Sequence, residues 1–418
     1  MCVEHSPGET DLLGALKPQG VARGELELLL RDYFGSASLQ GDELTYPNDS
    51  NYALKLSYDE ERLVDIVAGP AFTSEMFNAL QPRIHTALLE DAKAVIWQVI
   101  LFSHALPVKG WWRYKDHFQI IPVPGHAPQS PLASLMVEDH PFILQYSVRG
   151  SSNAAIRGLR SGAVERRLAL LLHTFLEGAI REKSGYARSH WVLLPGNVHD
   201  LQVGYCQNMY TFKDFKHELS EFSPIQQIQK INATDRTNYY ALRGLSGSET
   251  LEVPENLENL FDRFFSLPLD AQDRFLRACY WLRHSWEVQH VSRSASYIAL
   301  VQAIESLLGR TNEVCEKCGQ LRHRITKRFQ QFLESFVPEI KQSNAREALY
   351  KIRSGLSHGE FLFDNDRFQF FGMIEPKGAR ELSLGWQMGQ VARIALINWL
   401  LAQHMTCSET KGDLLAQN

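Results

Sequence analysis

The sequence predicts two parts in series: an α+β N-terminal region over residues 21–250 and an all-α helical bundle over residues 251–405. Three observations carry this. The chain has 418 residues, more than one ordinary core accommodates. Before residue 250, short β-like runs are mixed with segments of helical length. The Gly- and Ser-containing stretch from Leu245 to Pro254 then marks a break, after which the chain becomes strongly helical.

Residues 1–20 are polar, with Gly and Pro, and are expected to be irregular. Residues 91–104 and 163–181 have helical length and composition. In the second, Val164, Leu168, Leu171, Leu172, Phe175 and Leu176 recur along one helical face. Residues 117–122, 142–148 and 191–194 read as strands, the last ending at Pro195-Gly196. Beyond the break, Asp270 is the expected N-cap of a helix to about Trp286, with Phe275, Leu276, Cys279 and Leu282 inward. Residues 294–308 carry a stripe of Ile298, Val301, Ile304, Leu307 and Leu308, closed by Gly309. Further helices are expected over 321–336, 344–356 and 384–403, with a loop or short hairpin at 361–371. Short loops between amphipathic helices imply an antiparallel bundle. Residues 406–418 form a polar tail, expected to be disordered.

Composition narrows the function classes. Hydrophobic residues make up 44% and charged residues 22%, as in ordinary globular proteins. A net charge of −5 excludes a uniformly basic nucleic-acid coat. Six cysteines, Cys2, Cys206, Cys279, Cys315, Cys318 and Cys407, are too few for a disulfide scaffold. The first residues lack a basic segment followed by an apolar run, so no secretory signal is expected. The longest apolar runs, 94–102 and 168–172, fall short of a membrane span. A cytoplasmic protein with reduced thiols and no membrane partner is the expectation. There is no Gly-x4-Gly-Lys-Ser/Thr loop, no His-Glu-x2-His and no Gly-x-Ser-x-Gly. The cluster Trp111-Trp112-Arg113-Tyr114 could stack on a base, but aromatics in a mixed domain are more often core.

One run carries chemistry: Tyr350-Lys351-Ile352-Arg353-Ser354-Gly355-Leu356-Ser357-His358-Gly359. It sets Arg353 and His358 five positions apart near a helix end. Five residues turn about 500°, so on a regular helix the two side chains stand roughly 140° apart. Gly355 and Gly359 permit a bend or a C-cap. Alternatively, the pair could work across a dimer interface. Metal-free RNA cleavage needs the 2′-hydroxyl deprotonated, the 5′-oxygen protonated and the phosphorane charge stabilised. Histidine can fill either proton role, and the arginine fork matches phosphate oxygens. One histidine cannot easily reach both faces of the phosphorus, whereas two copies of the motif could supply acid and base. The plainer alternative is that His358 simply caps a helix end.

The helix Ser294-Ala-Ser-Tyr-Ile-Ala-Leu-Val-Gln-Ala-Ile-Glu-Ser-Leu-Leu-Gly309 precedes the motif by one intervening helix. Together they resemble the HEPN superfamily, most closely its ApeA-like branch, in which an "ALxxAIExLLG" helix leads to one ending "IRSxLxHG". The resemblance covers residues 251–405. It implies a HEPN-like helical bundle that forms a homodimer. It also implies a metal-independent endoribonuclease acting in antiphage defence or as a toxin, with no cofactor for catalysis. The N-terminal region would then be a sensor of a phage or cellular trigger. Arg353 and His358 take the catalytic positions, Ser354 the polar position after the arginine, and Glu305 orients the arginine. A Glu paired with Arg for structural reasons alone stays open. Some family members are inactive, so the alternative function is a non-catalytic dimerisation module that binds a protein or nucleic acid. The apolar stripes of 294–308 and 384–401 are expected to supply the dimer contact.

Between Thr311 and His358, nine Lys and Arg face five Glu, a local net charge of +4. This fits an RNA-facing patch or, as readily, a solvated helix face. Cys315-Glu-Lys-Cys318-Gly is half of a common zinc site, with His323 the nearest further ligand and His284, Cys279 and Cys407 distant ones. A structural zinc on Cys315, Cys318 and His323 is therefore a candidate. Two unligated thiols in a loop is the plainer reading.

Overall fold

The computed structural model describes residues 23–46, 51–59, 62–89, 94–104, 106–127, 139–177, 180–182, 191–193, 205–207, 212–240, 249–309, 325–340, 343–367 and 376–403. An α+β N-terminal part built on antiparallel sheets is followed by a helical C-terminal part.

The chain begins with α1 (Arg23–Phe34) and a four-stranded antiparallel meander: β1 (Ser38–Gln40), β2 (Glu43–Tyr46), β3 (Leu54–Asp59) and β4 (Arg62–Ala68). Strand β3 alternates as a half-buried strand should: Leu54, Leu56 and Tyr58 are buried, while Lys55 and Ser57 are more open. Helix α2 (Ser74–Ile84) is capped by Thr73, whose hydroxyl accepts from the Met76 N–H at 3.2 Å. It continues into a π-helical turn, His85–Leu89. Leu26, Leu30, Leu56, Leu80, Ile84 and Ile156 help form this first core.

The second sheet has six strands: β5 (Val95–His104), β6 (Trp112–Tyr114), β7 (Phe118–Pro122), β8 (Asp139–Val148), β9 (Ile180–Glu182) and β12 (Glu218–Leu219). Its order is β12-β5-β8-β7-β6, with β9 also on β5. Strands β7 and β8 lie within or around the expected runs. The helix expected over 91–104 is instead β5. Its run Val95-Ile-Trp-Gln-Val-Ile-Leu-Phe is β-branched and aromatic, and Ile96, Gln98, Val99, Ile100 and Leu101 are all buried, so both faces are covered. Its length and apolar composition fit a helix equally well.

Helix α3 (Ala154–Phe175) starts nine residues before the expected 163. Asn153 caps it, accepting from Ala155 N–H at 2.9 Å. Its first turns bury little besides Ile156, so the apolar periodicity becomes visible only from Val164. It also ends sooner: Ile180–Glu182 pairs with Leu101–Ser103 as β9 rather than continuing the helix. Ile156 belongs to the first core and Val164–Leu176 to the second, so α3 joins them. Arg160 fixes this junction with a two-pronged contact to Glu25, at 2.9 and 2.7 Å.

Beyond α3, β10 (Trp191–Leu193) pairs with β11 (Tyr205–Gln207), and β13 (Ala233–Thr234) pairs in parallel with β14 (Val253–Pro254) across the short helix α4 (Arg236–Tyr239). The helical part comprises α5 (Leu257–Ser266), α6 (Leu269–Val288), α7 (Arg293–Glu305), α8 (Ile325–Phe336), α9 (Ser343–Ser357), α10 (Asp364–Arg367) and α11 (Pro376–Ala402). Helix α5 was not anticipated, although Leu257, Leu260, Phe261 and Phe264 are all buried. Pro268, not Asp270, holds the N-cap position of α6. Asp364–Arg367 is one helical turn where a loop or hairpin was expected. Helix α11 starts eight residues earlier than predicted, with Pro376 at its first position.

Helix α7 packs on α6, α9 and α11, and α9 also packs on α8. Leu251 and Val253, where the chain turns helical, lie in one core with Leu144 of β8 and Leu396 of α11. Trp112, Tyr114 and Phe118 pack on Phe261 of α5, so within the tryptophan-rich cluster Tyr114 is core and Trp112 lies half-buried against it, while Trp111 and Arg113 are half-exposed. Among the described residues, no helix is long and apolar enough to cross a membrane.

Candidate functional site

The site is built where α7 ends beside α9. Helix α9 buries Tyr350 and Leu356. The Tyr350 ring lies 5.1 Å from that of Phe329, and Tyr297 of α7 donates to the Leu349 carbonyl at 2.9 Å. Arg353 follows Tyr350 by three residues, which brings it onto the same face. Its Nη2 donates to Oε2 of Glu305, the last residue of α7, at 3.2 Å. The guanidinium also stands 5.7 Å from the Tyr350 ring centroid. Glu305 and Arg353 are half-buried, at 17% and 23% side-chain exposure. Burial, and then the neighbouring Glu305 carboxylate, push the Tyr350 phenol above its ordinary value. Among the described residues, Glu305 Oε1 and Arg353 Nε have no hydrogen-bond partner.

The end of α9 explains both glycines. Gly359 has φ +73° and its N–H donates to the Leu356 carbonyl at 3.3 Å, while Glu360 N–H reaches back to Gly355 at 2.9 Å. These two bonds make a Schellman cap. His358 precedes this left-handed glycine; its N–H donates to the Ser354 carbonyl at 3.0 Å, and it is exposed. The helix runs unbroken through Gly355, where the Phe361 ring occupies the space a Cβ would need. Helical geometry therefore keeps Arg353 and His358 about 140° apart. Within one chain, Arg353 meets Glu305, Ser354 is half-buried, and His358 faces solvent.

Two carboxylates that the sequence reading passed over fix the segment after His358. Asp366 accepts from Ser292 Oγ at 2.8 Å and from the N–H groups of Arg293 and Ser294 at 2.6 and 2.8 Å, capping α7. Burial raises its pKa, but bonds from Ser294, Ser292 and Arg293 outweigh this and leave it lowered. Glu381 of α11 accepts from the Asp364 and Asn365 N–H groups at 3.0 and 3.3 Å. The Asp-Asn-Asp run at 364–366 was the available signal, since such residues favour caps.

The basic segment is partly spent inside the molecule. Arg328 caps Gly309 at 2.9 Å, Arg346 caps Ile340 at 2.8 Å, and Arg353 holds Glu305. Lys327 and Lys351 are exposed. Cys315, Cys318 and His323 lie outside the described residues. Among those described, no group of three or more His, Cys, Asp or Glu could hold a metal ion. Cys279 is buried, and burial pushes its thiol up to about 12, away from a ligating thiolate. The stripes on α7 and α11 expected at a dimer contact are turned inward: Val301, Ile304, Leu396 and Leu400 are fully buried within the chain.

No family model matches the chain, and no curated protein or solved structure is significantly similar to it.

Proposed function

We propose that the chain is a metal-independent endoribonuclease of HEPN type, working as a homodimer and controlled by its N-terminal region, in antiphage defence or as a toxin. The supporting observation is an arginine braced by a carboxylate on one helix end with a solvent-facing histidine five residues on. His358 takes the proton from the 2′-hydroxyl, whose oxygen attacks phosphorus. The His358 of a second copy gives a proton to the departing 5′-oxygen. Arg353 stabilises the phosphorane oxygens, and Glu305 holds its fork in place. The products are a 2′,3′-cyclic phosphate and a 5′-hydroxyl. Phe361 and Leu362, which follow His358 closely in the chain, and Trp386 of α11, at 43%, 50% and 43% exposure, offer apolar contacts for the second copy. Incubation of the protein and a His358→Ala variant with total RNA in EDTA tests the reading. Cleavage by the wild type alone is expected; cleavage that requires added magnesium argues against it.

The second reading is a non-catalytic dimerisation and binding module. It is favoured by one feature: Arg353 is engaged with Glu305 on a face that His358 does not share. In that case neither the wild type nor the His358→Ala variant cuts RNA.

A further inference from the structure

The six-stranded sheet carries a polar row on the face turned away from α3. Gln98 of β5 lies opposite Gln145 of β8, Gln145 opposite Gln119 of β7, and Gln119 opposite Arg113 of β6. The three glutamines are buried, at 6%, 0% and 0% exposure, so their amides must be paired. They pair with one another: Gln119 Nε2 donates to Gln145 Oε1 at 2.6 Å and Gln145 Nε2 to Gln98 Oε1 at 2.9 Å.

The same amides also hold one residue of a crossing segment. Ser223 N–H donates to Gln145 Oε1 at 2.9 Å, its Oγ accepts from Gln145 Nε2 at 2.7 Å, and its carbonyl accepts from Gln119 Nε2 at 3.1 Å. Phe222, just before it, lies under the Arg113 guanidinium at 5.2 Å. Earlier in the segment, Gln98 N–H donates to the His217 carbonyl at 2.8 Å, and the Gln98 amide reaches the Lys216 carbonyl. Strand β12 then adds two residues to the edge of β5.

The segment itself is lightly held. No residue from 212 to 230 is buried. Phe215, Leu219, Phe222 and Ile225 stay half-exposed, and none packs against either core. It is attached by hydrogen bonds, an Arg157–Glu218 ion pair at 3.0 Å, the Phe222–Arg113 contact and a ring contact of His217 with Trp97, none of which buries an apolar side chain of the segment. Segments without buried apolar side chains open at the low end of local stability.

We propose that residues 212–223 are a cis-bound strap on a peptide-recognition row, and that this row accepts in their place an extended segment of a partner protein carrying an aromatic residue followed by Ser or Thr. The strap defines the ligand chemistry: an aromatic ring under Arg113, then a residue whose N–H, carbonyl and small hydroxyl meet Gln145 and Gln119. The freed edge of β5 supplies main-chain pairing, as in strand addition. The strap is tethered at high effective concentration, so it masks the row in the resting protein. This does not depend on the ribonuclease reading.

The test uses the full chain and a fluorescein-labelled synthetic peptide with the sequence of residues 215–226. A Phe222→Ala/Ser223→Ala variant is expected to bind it at least about ten-fold more tightly than wild type, a difference of about 1.4 kcal/mol. Adding Gln145→Ala should abolish binding, and a peptide with alanine in place of its Phe-Ser pair should bind weakly. By hydrogen exchange on wild-type protein, amides of 216–223 should exchange at least about ten-fold faster than those of β8. Strap amides as protected as β8 overturn the proposal, and this comparison decides even if the variants aggregate. Failure of the peptide to bind a folded strap-weakened variant also overturns it, as does binding of a single-stranded oligouridylate there instead of the peptide.

Discussion

Glu305 and Arg353 meet through a single contact, Oε2 to Nη2 at 3.2 Å, while the other carboxylate oxygen and the guanidinium Nε have no partner among the described residues. A bidentate pair would use both edges and be the tighter structural clamp. This one holds the arginine's position and leaves hydrogen-bonding capacity unused. If Glu305 only stabilises the bundle, Glu305→Gln should lower stability and leave the cleavage rate per folded molecule unchanged. If it positions Arg353 for phosphate, that rate should fall about ten-fold or more, with KM for RNA less affected. Kinetics normalised to folded protein, measured by near-UV circular dichroism, separate the two.

If the chain cuts RNA as proposed, His358→Ala and Arg353→Ala should both slow cleavage yet differ in stability. His358 is exposed, so its truncation should change stability by within about 0.5 kcal/mol. Arg353 is half-buried, and removing it strands the Glu305 carboxylate, at a cost of about 1–3 kcal/mol. Each should lower the rate about 10²–10⁴-fold. A folded His358→Ala protein that cuts RNA at the wild-type rate would remove the motif from the mechanism.

Much of this site is visible in sequence. The stripe beginning at Ile298 becomes a helix, although it ends at Glu305, three residues before the expected Leu308, with Gly309 beyond it at φ +69°. The angular separation of Arg353 and His358 follows from helix geometry alone. What the sequence conceals is tertiary. That Glu305 meets Arg353 is expected only through the family resemblance; the contact depends on how α7 docks on α9, and a spacing of 48 residues by itself carries no sign of it. The strand β5 is concealed for another reason: a sequence buried on both faces loses its period-two pattern, and an unbroken apolar run reads equally as a helix. The glutamine row is three isolated residues until β5, β8 and β7 are aligned.

Gly359→Ala should destabilise the protein by about 1–2 kcal/mol, because a Cβ is unfavourable at φ +73° and the Schellman cap loosens. Gly355→Ala should act differently. Its φ is helical, and the new Cβ meets the end of the Phe361 ring, which is 43% exposed and can swing outward. A smaller stability change, with altered self-association, is expected. Urea melts and sedimentation velocity on both variants check this; equal destabilisation by both would contradict it.

Stability should fall on mild acidification through His173. Burial, then Arg393 and Arg283, hold this imidazole well below its ordinary value, and its Nδ1 accepts from the Ile180 N–H at 3.3 Å. It therefore stays neutral in the folded chain. Once pH drops below the unfolded value of about 6.5, the unfolded state binds a proton that the folded state refuses. Stability then declines by up to about 1.4 kcal/mol per pH unit until the lower folded value is reached. Histidine→glutamine at 173 keeps an acceptor without a titrating ring, so its stability should be flatter between about pH 7 and pH 5. Parallel slopes for variant and wild type in urea titrations would exclude His173 as the source.

The proposed two-copy site makes a prediction about mixtures. If acid and base are the His358 side chains of two copies, a dimer with one His358→Ala chain lacks one proton-transfer group and loses most of its activity. Co-refolding wild type with the variant at constant total protein should then lower cleavage as the square of the wild-type fraction: an equal mixture should retain about a quarter, not a half. A linear fall means each chain cuts alone, and the exposed Phe361, Leu362 and Trp386 then need another explanation. Light scattering fixes the assembly state, and a Trp386→Glu variant supplies the control. That residue is 43% exposed and outside the acid–base set, so the change should separate the chains with little cost to the fold. Monomers that keep full activity would refute the two-copy mechanism; inactive monomers with an intact melt are the expected result.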